Sequence, residues 1–339
     1  MKDGEIAQKE LREVYEEMKT PVKQGMIMRE EGVVIDSPNI FRKNDGTFAM
    51  TYVRFMENAE NPGYETWIAE SADLLHWKTV GKLLPRKGFG WDALQAGGNI
   101  CLVDSAWEGD HSVHAHKGKY WMSYLGGCLS GYEPDPLRIG MAYGETIAPG
   151  SFTRLPEPIL SNEDEDARPF EMTTLYKSNV VYDREETLGY PYVMYYNAKA
   201  GRFQIEKIGM AVSGDMVHWK RYGKEAVLSN GIEDRWNIAG DPQVVKYRNL
   251  WVMHYFVAMD GTAYDTFACS EDMVHWTKWE GEPLVKPSEG YDRKFAHKPC
   301  VLKHEGVVYH FYCAVGDLGR GIALATSREI SKGDERDGR

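Results

Sequence analysis

The chain has 339 residues and a net charge of −11 at pH 7, with 40 Lys and Arg residues against 51 Asp and Glu residues. This balance argues against a nucleic-acid partner, because such binding depends on clustered basic side chains that face phosphates. No apolar run approaches the roughly 18–20 residues that a membrane-spanning helix needs. The charged segment 1–20 lacks the apolar centre of a secretory signal. We therefore expect a cytoplasmic protein with no membrane partner.

The start of the chain, residues 3–19, predicts a short amphipathic helix. Its apolar positions on one side are Leu11, Val14, Tyr15 and Met18. We assign 1–22 to a helical extension that precedes the main domain. The next segment, "KQGMIMR" at 23–29, is predicted to be a strand.

From residue 36 onward, two strand-like elements recur as a hairpin. Most copies of the first element end in turn residues such as Asp-Gly or Lys-Gly, which join hairpin strands. Its instances are "DSPNIFRKNDG" (36–46), "HSVHAHKGK" (111–119), "KSNVVYD" (177–183), "DPQVVKYRN" (241–249) and "HKPCVLKHEG" (297–306). The second element alternates and is rich in aromatic residues, as is typical of a strand. It contains Tyr52, Tyr124, Tyr196, Tyr255 and Tyr312 in turn.

A third strand follows each hairpin, and in three repeats it leads into nearly the same heptapeptide. The copies are "SADLLHW" (71–77), "SGDMVHW" (213–219) and "SEDMVHW" (270–276). Ser and Asp suit a turn that hydrogen-bonds its own backbone, and the apolar residue and Trp suit packing between repeats. The His-Trp pair then opens a fourth strand. We interpret the heptapeptide as architecture and not as chemistry.

Five units of about four strands predict an all-β fold, a five-bladed β-propeller over residues 23–330. The blades are assigned approximately to 36–95, 96–165, 166–235, 236–290 and 291–330. Because the last unit ends after its third strand, we expect 23–29 to supply the outer strand and close the ring. Closure removes an exposed sheet edge. Residues 331–339 are assigned to a disordered tail.

Polar residues occupy the start of the predicted first strands. In a propeller these strands run along the central channel, so side chains at their starts converge there. The residues are Asp36, His111, His114, Lys177, Asp241 and His297. Carboxylates, imidazoles and an ammonium in one pocket shift each other's pKa values, as is common in catalytic sites.

These repeats resemble the five-bladed propeller glycosidases, the grouping that includes glycoside hydrolase families 43, 32 and 117. The resemblance covers 23–330 and rests on "SPNIFRKNDGTFAMTYVRF", on "GYETWIAESADLLHWKTVGKLL" and on their repeats. It implies an Asp base or nucleophile at the start of the first blade. It also implies a helper Asp at the start of the third blade and an acid, usually Glu, at the start of the fourth.

Three positions of this chain correspond to those roles. Asp36 matches the first role, one residue early, because the usual Asp-Pro is here Asp-Ser-Pro. Asp241, in "GDPQVV", stands in the fourth-blade position as Asp instead of Glu. Lys177 occupies the helper position, so the usual carboxylate is absent there. A cation at that place fits a substrate carboxylate or lowers the pKa of a neighbouring acid.

Other side chains are candidates for the same pocket. Glu206, Glu65 and Glu171 are the carboxylates that compensate for the missing helper, and His297 is an alternative acid near neutral pH. Trp91, Trp107 and Trp236 lie in predicted loops ahead of the first strands and are candidate sugar platforms.

The leading hypothesis is a glycosidase that removes a terminal sugar from an oligosaccharide, with Asp36 as base and Asp241 or Glu206 as acid. Retention and inversion both stay open, because the distance between the two carboxyl groups decides the outcome. One alternative is phosphorolysis with Lys177, His297, Lys298 and Arg293 around the phosphate. Another is a carbohydrate-binding propeller without catalysis.

No cofactor is expected from the sequence. There is no Walker-type or G-x-G-x-x-G loop, so a nucleotide cofactor is not indicated. A divalent cation at His111, His114 and His116 is the one metal alternative. The expected partner is an oligosaccharide, and the sequence does not indicate an oligomeric state.

Overall fold

The protein is described by a computed structural model that covers residues 5–201 and 204–330. The predicted tail at 331–339 lies outside the described residues. The described part consists almost entirely of β-strands, with one α-helix and two 3-10 turns, Pro169–Glu171 and Gly290–Asp292. No helix within these residues is long and apolar enough to cross a membrane.

Helix α1 (Gln8–Met18) is the predicted amphipathic helix. Leu11, Val14 and Met18 are buried on one face, because they recur at the spacing that places side chains on one side of a helix. The Tyr15 ring stacks on Trp279 with 5.1 Å between ring centroids. Burial of this face attaches the helix to the strands around it.

The strands pair in antiparallel groups of four. The first group contains β2 (Val34–Arg42), β3 (Phe48–Phe55), β4 (Glu65–Ser71) and β5 (Lys78–Leu84), and the second contains β6 (Gln95–Ile100), β7 (Tyr120–Gly127), β8 (Arg138–Gly144) and β9 (Thr153–Arg154). The third contains β10 (Thr174–Tyr182), β11 (Tyr192–Lys199), β12 (Ile205–Ser213) and β13 (Trp219–Arg221). The fourth contains β14 (Asn237–Tyr247), β15 (Leu250–Met259), β16 (Thr262–Ser270) and β17 (Thr277–Lys278).

The last group combines the two ends of the chain. It contains β18 (Phe295–His304), β19 (Val307–Gly316), β20 (Gly319–Thr326) and the N-terminal strand β1 (Val22–Met28). Strand β1 pairs antiparallel with β20, with Val22 opposite Thr326 and Met28 opposite Ile322. The strand predicted at 23–29 is therefore present and lies beside the last strand of the chain.

The repeated heptapeptide forms the same turn in all three copies. In the first copy, Asp73 Oδ1 accepts the His76 backbone N–H at 2.8 Å, and the Trp77 indole donates to the Leu74 carbonyl at 3.1 Å. Asp215 and Asp272 make the matching bonds in the other copies. The three His side chains are largely exposed. The motif is architectural, as predicted.

A β-bulge interrupts the first strand of four groups near its start. The register shifts lie after Asp36, Leu175, Gly240 and His297. In three of these bulges a residue with left-handed φ precedes a proline: Ser37 (53°), Asp241 (46°) and Lys298 (63°). Such φ values are uncommon outside glycine, and bulges commonly re-aim a side chain beside a functional site.

The first strand of the second group differs from the prediction. That strand is β6, "QAGGNI", whereas the predicted segment 111–119 lies in the connection between β6 and β7. This connection makes only isolated bridges such as Val103 with Val113. The alternation and the Lys-Gly turn of 111–119 are typical of a strand. Strand β6 was missed because Gly98 interrupts the pattern that predicts a strand. Gly98 is required there, because a Cβ would lie 2.7 Å from the Met122 sulfur.

Candidate active site

A cavity of about 420 Å³ lies where the first strands of the third, fourth and last groups begin. Its apolar lining residues are Trp236, Ile238, Phe256, Ala258, Ala263 and Phe295. The other residues of the wall are Tyr132, Glu133, Tyr176, Lys177, Asn197, Lys199, Gln204, Glu206, Asp241, His297, Lys298 and Arg320. Apolar side chains together with a few charged groups are the usual composition of a small-molecule site.

Glu206 is a buried carboxyl group on this wall. Strand β12 places it beside β14, where Glu206 pairs in parallel with Ile238. Burial and the nearby Glu133 raise the pKa of Glu206 to about 7, although hydrogen bonds from Gln204 and Asn197 oppose the shift. The Asn197 amide donates to Glu206 Oε2 at 2.7 Å. Glu206 therefore holds a proton through much of the neutral range.

Glu133 lies in the connection between β7 and β8 and faces the same cavity. The Tyr64 hydroxyl donates to Glu133 Oε1 at 3.0 Å, and the Lys298 ammonium lies 3.5 Å from the same oxygen. Both neighbours stabilise negative charge. The backbone of Glu133 has a left-handed φ of 48°, a conformation that costs energy and is concentrated at functional sites.

Asp241 is the third carboxyl group on the wall. The bulge of β14 turns it into the cavity. Burial raises its pKa, while Lys298 and Lys177 act in the opposite direction. The Ser37 hydroxyl lies 3.5 Å from its Oδ2. Because Asp241 lines the cavity, its carboxyl group can contact a ligand there.

Asp36 lies behind the wall and does not line the cavity. Its Oδ2 accepts hydrogen bonds from Lys298 at 3.0 Å, Arg320 at 2.9 Å and Tyr132 at 3.1 Å. Burial would raise the pKa of Asp36, but Lys298 and Arg320 hold it well below its usual range. The side chain predicted to act as base is thus covered by three donors, and it holds those donors in position.

Solved structures resemble the whole chain, although no family model and no curated protein matches it. One, described as a glycoside hydrolase, is 40% identical, with 99% of each chain covered and a TM-score of 0.91. This protein belongs to the glycoside hydrolases. A structure described as a complex of BT0996 and RGII is 41% identical to this enzyme, again over 99% of each chain, with a TM-score of 0.91.

A more distant structure shows the fold that this glycosidase shares with other families. A thermostable family-43 glycoside hydrolase is 16% identical, with 95% of this chain and 98% of that chain covered and a TM-score of 0.63. An endo-arabinase from Bacteroides thetaiotaomicron gives a TM-score of 0.60 at 13% identity, over 88% of this chain and 95% of that chain. The enzyme therefore has a propeller-like all-β fold.

Lys177, at the position of the predicted helper, lines the cavity of the glycosidase. Lys177 donates to Asn99 Oδ1 at 3.1 Å and to the Ser37 carbonyl at 3.3 Å. Burial lowers the pKa of Lys177 to about 8, against the attraction of Asp241. Lys177 therefore remains largely an ammonium at neutral pH, close to Asp241.

His297 lines the cavity but is a poor candidate for the general acid. Burial, with the positive charges of Arg320 and Lys298, lowers its pKa to about 3. The ring Nδ1 lies 3.0 Å from the Cys313 carbonyl oxygen, to which it donates as a neutral imidazole. The ring is therefore neutral near neutral pH, which does not favour the alternative acid role predicted for His297.

Glu65 and Glu171 are not pocket residues. The Glu65 carboxylate of β4 pairs with the Lys82 ammonium of β5 at 3.0 Å, within the first group. Glu171 is fully buried and pairs with Arg221 at 2.7 Å, while the Tyr196 hydroxyl also donates to it at 2.9 Å. Both predictions fail for the same reason: a basic partner distant in the chain engages each carboxylate, which the sequence pattern does not show.

Of the three predicted sugar platforms, only Trp236 lines the cavity. The Trp91 indole stacks on Tyr124, with 5.7 Å between ring centroids, away from the cavity. Trp107 is buried, and its indole donates to Glu17 of α1 at 2.9 Å. Loops ahead of first strands therefore contain tryptophans that pack between elements as well as one that faces the site.

The histidines of the 101–119 connection lie outside the cavity. His111 Nε2 is 2.7 Å from the Lys303 carbonyl oxygen, His116 Nδ1 bonds to the Tyr192 hydroxyl, and His114 does not line the cavity. Residues 5–201 and 204–330 contain no group of three or more His, Cys, Asp or Glu side chains placed to hold a metal ion.

Of the four side chains predicted around a phosphate, Lys177, His297 and Lys298 line the cavity. Arg293 does not, and it pairs with Asp317 at an exposed position. The residue that sequence reasoning missed is Glu133. It lies in "GYEPDPL", in the connection between the second and third strands of its group, which differs in length and sequence from the equivalent connections of the other groups. That difference was the one sequence signal for it.

Proposed function

We propose that the enzyme hydrolyses the terminal glycosidic bond of an oligosaccharide, with Glu206 as general acid and Glu133 as the second carboxylate. The observation that carries this assignment is the pKa of Glu206, raised to about 7 by burial and by Glu133. Glycoside hydrolysis requires one protonated and one ionised carboxyl group. Burial keeps a proton on Glu206 near neutral pH, as the acid of such a pair requires.

In the proposed reaction, Glu206 is the proton donor and Glu133 is the second carboxylate. Glu206 donates its proton to the glycosidic oxygen, the bond from that oxygen to the anomeric carbon breaks, and the oxygen leaves as a hydroxyl group. The Glu133 carboxylate faces the positive charge that develops on the sugar. It either bonds to the anomeric carbon before water replaces it, or takes a proton from the attacking water. The net change is the addition of one water molecule.

Asp241 and Asp36 support this pair in different ways. Asp241, next to Lys177 on the wall, is placed to accept hydrogen bonds from sugar hydroxyls. Asp36 holds Lys298, and Lys298 in turn lies 3.5 Å from Glu133. Asp36 is therefore a positioning residue in this proposal, in place of the base predicted from the family resemblance.

We propose that the cavity takes the terminal sugar of an oligosaccharide. Its walls come from the third, fourth and last strand groups and from the β7–β8 connection. Trp236, Phe256 and Phe295 offer an apolar surface to one face of a sugar ring.

We extend the proposal to the substrate and the ring. The relative described as a complex of BT0996 and RGII is 41% identical along the whole chain, which supports an RGII oligosaccharide as the substrate.

The antiparallel groups of four strands are proposed to be five blades. Pairing of β1 with β20 supports closure of the ring between the two ends of the chain.

The test uses oligosaccharides derived from RGII as substrate and follows the released sugar and its anomer by NMR. We expect Glu206→Gln and Glu133→Gln each to lower kcat by about 10²–10⁴-fold. Glu65→Gln, the same change outside the cavity, is the matched control and keeps wild-type activity. Wild-type turnover by Glu206→Gln would refute the assignment of the acid.

Two further measurements separate the remaining alternatives. Azide added to Glu133→Ala gives a glycosyl azide if a small anion occupies the place of the carboxylate, and the anomer of that product identifies the face of attack. Turnover that requires phosphate and yields a sugar phosphate would show phosphorolysis and contradict the proposal.

A further inference from the structure

We propose that a second cavity next to the catalytic one binds the part of the oligosaccharide that leaves after bond cleavage. This inference rests on the proposed function, because it names the subsite for the leaving group of the same reaction. The second cavity has a volume of about 470 Å³. It lies between the end of β1, the first strand group and the β19–β20 turn, and its lining includes Glu30, Val33, Glu57, Val315 and Leu318.

The two cavities share one wall, formed by Tyr132 and Arg320. The Tyr132 ring lies 5.4 Å from the Tyr64 ring and 5.7 Å from the Phe55 ring, edge to face in both cases. The Arg320 guanidinium lies 5.0 Å from the Tyr132 ring, and the Tyr132 hydroxyl donates to Asp36. Side chains of three strand groups thus fix the shared wall, while Tyr132 itself is 40% exposed.

An oligosaccharide that leaves the catalytic cavity over this wall enters the second one directly. Tyr132 directly precedes Glu133, the carboxylate proposed to face the anomeric carbon. The shared wall is therefore next in the chain to the carboxylate of the proposed reaction. A shared wall between the two cavities points to one occupant, which is the remainder of the bound oligosaccharide.

An exposed apolar side chain of the second cavity points to the same occupant. Leu318 is 50% exposed at the β19–β20 turn and lines this cavity. Exposed apolar surface next to a site commonly marks a binding surface. The apolar faces of sugar rings pack on such side chains, and Glu30 and Glu57 accept hydrogen bonds from sugar hydroxyls.

The experiment compares two substrates that share the same terminal sugar. One is an oligosaccharide derived from RGII, and the other is the aryl glycoside of the sugar that the enzyme releases from it. For Leu318→Ser we expect KM for the oligosaccharide to rise about 5-fold more than KM for the aryl glycoside, because only the longer leaving group reaches Leu318. Val217→Ser, an exposed apolar side chain in the heptapeptide turn, is the control and changes neither KM.

A Glu206→Gln background separates this inference from the proposed reaction. Calorimetric titration of the oligosaccharide into Glu206→Gln and into the Glu206→Gln, Leu318→Ser double variant measures binding without turnover. Weaker binding by the double variant, by a similar factor, supports the subsite even if the acid is another residue. The subsite is refuted if both variants bind the oligosaccharide equally well. It is also refuted if Leu318→Ser changes KM equally for the two substrates.

Discussion

The proton on Glu206 follows from its position in the molecule. A carboxyl group without solvent loses the stabilisation that water gives its charged form, and the neighbouring Glu133 adds repulsion. The amides of Asn197 and Gln204 oppose both effects, since they donate to the two carboxyl oxygens. The balance sets a pKa of about 7, which allows the group to donate a proton near neutral pH.

This balance predicts the pH dependence of the enzyme. Only the protonated form of Glu206 acts as an acid, so kcat/KM should fall as the pH rises through about 7. In Asn197→Ala the charged form loses a hydrogen-bond donor, its pKa rises further, and the descending limb should move to higher pH. The measurement is kcat/KM against pH for both proteins.

The control for this shift is Asn162→Ala, a change of the same type. The Asn162 amide donates to the Met172 carbonyl outside the cavity, so its limb should coincide with that of the wild type. If the limb of Asn197→Ala stayed in place as well, another group would be responsible for it.

Sequence reasoning reached part of the site at the residue scale. Glu206, Asp241, Lys177 and Trp236 were predicted and do line the cavity, because repeats place equivalent positions at the same end of the molecule. The chemistry of Asp36 was not visible, since Lys298 and Arg320, which lower its pKa, lie more than 260 positions away in the chain. Partners so distant leave no local pattern.

At the scale of elements, two tryptophans with similar sequence contexts have different roles. Trp107 joins the 101–119 connection to α1, through its buried ring and its bond to Glu17. Trp236 precedes β14 and lines the catalytic cavity. One ring therefore contributes to stability and the other to substrate binding.

The two alanine variants should separate these roles. Trp107→Ala should lower the free energy of unfolding by about 3–5 kcal/mol, because it leaves a cavity in a packed core, and should leave KM unchanged. Trp236→Ala should raise KM by about 10-fold, which corresponds to ~1.4 kcal/mol of lost contact, with little change in stability. Urea unfolding and steady-state kinetics measure the two effects. The reverse result would show that Trp107 contacts the substrate.

For the molecule as a whole, the pairing of β1 with β20 links the two ends of the chain. The link includes a side-chain contact, because Lys23 of β1 pairs with the buried carboxylate of Asp292 and donates to the Lys286 carbonyl at 2.7 Å. Tyr312 also donates to Asp292 at 2.9 Å. The N-terminal strand is thus held by hydrogen bonds of its backbone and by one ion pair.

Removal of that pair should loosen β1. Lys23→Met leaves the charge of Asp292 without its basic partner, and we expect a loss of about 2–3 kcal/mol in the free energy of unfolding. Hydrogen exchange should speed up along β1 and β20 before the rest of the molecule. Lys9→Met, at a position 87% exposed, is the control and should change the free energy of unfolding by less than about 0.5 kcal/mol. Unchanged exchange in Lys23→Met would mean that the backbone pairing alone holds the strand.

The large-scale features were more predictable than the site, because they repeat. The hairpins and the heptapeptide turns recur as sequence patterns, and the N-terminal strand was predicted because the last unit ends after its third strand. The second group is the exception, because the glycine-containing β6 shows no alternation of apolar and polar residues, whereas 111–119 does. Glu133 escaped prediction for a related reason, since the sequence of its connection does not repeat in the other groups.

The bulges at the starts of the first strands have a consequence for how such an enzyme acquires new specificity. Ser37, Asp241 and Lys298 occupy equivalent left-handed positions before a proline, where the register of the ladder is interrupted. The backbone shape at each of these points is set locally and does not depend on the identity of the side chain. These three equivalent positions carry a hydroxyl, a carboxylate and an ammonium group, respectively. Mutation can therefore exchange the reactive groups of the pocket one at a time while the strands around them keep their partners, which separates chemical innovation from the risk of misfolding.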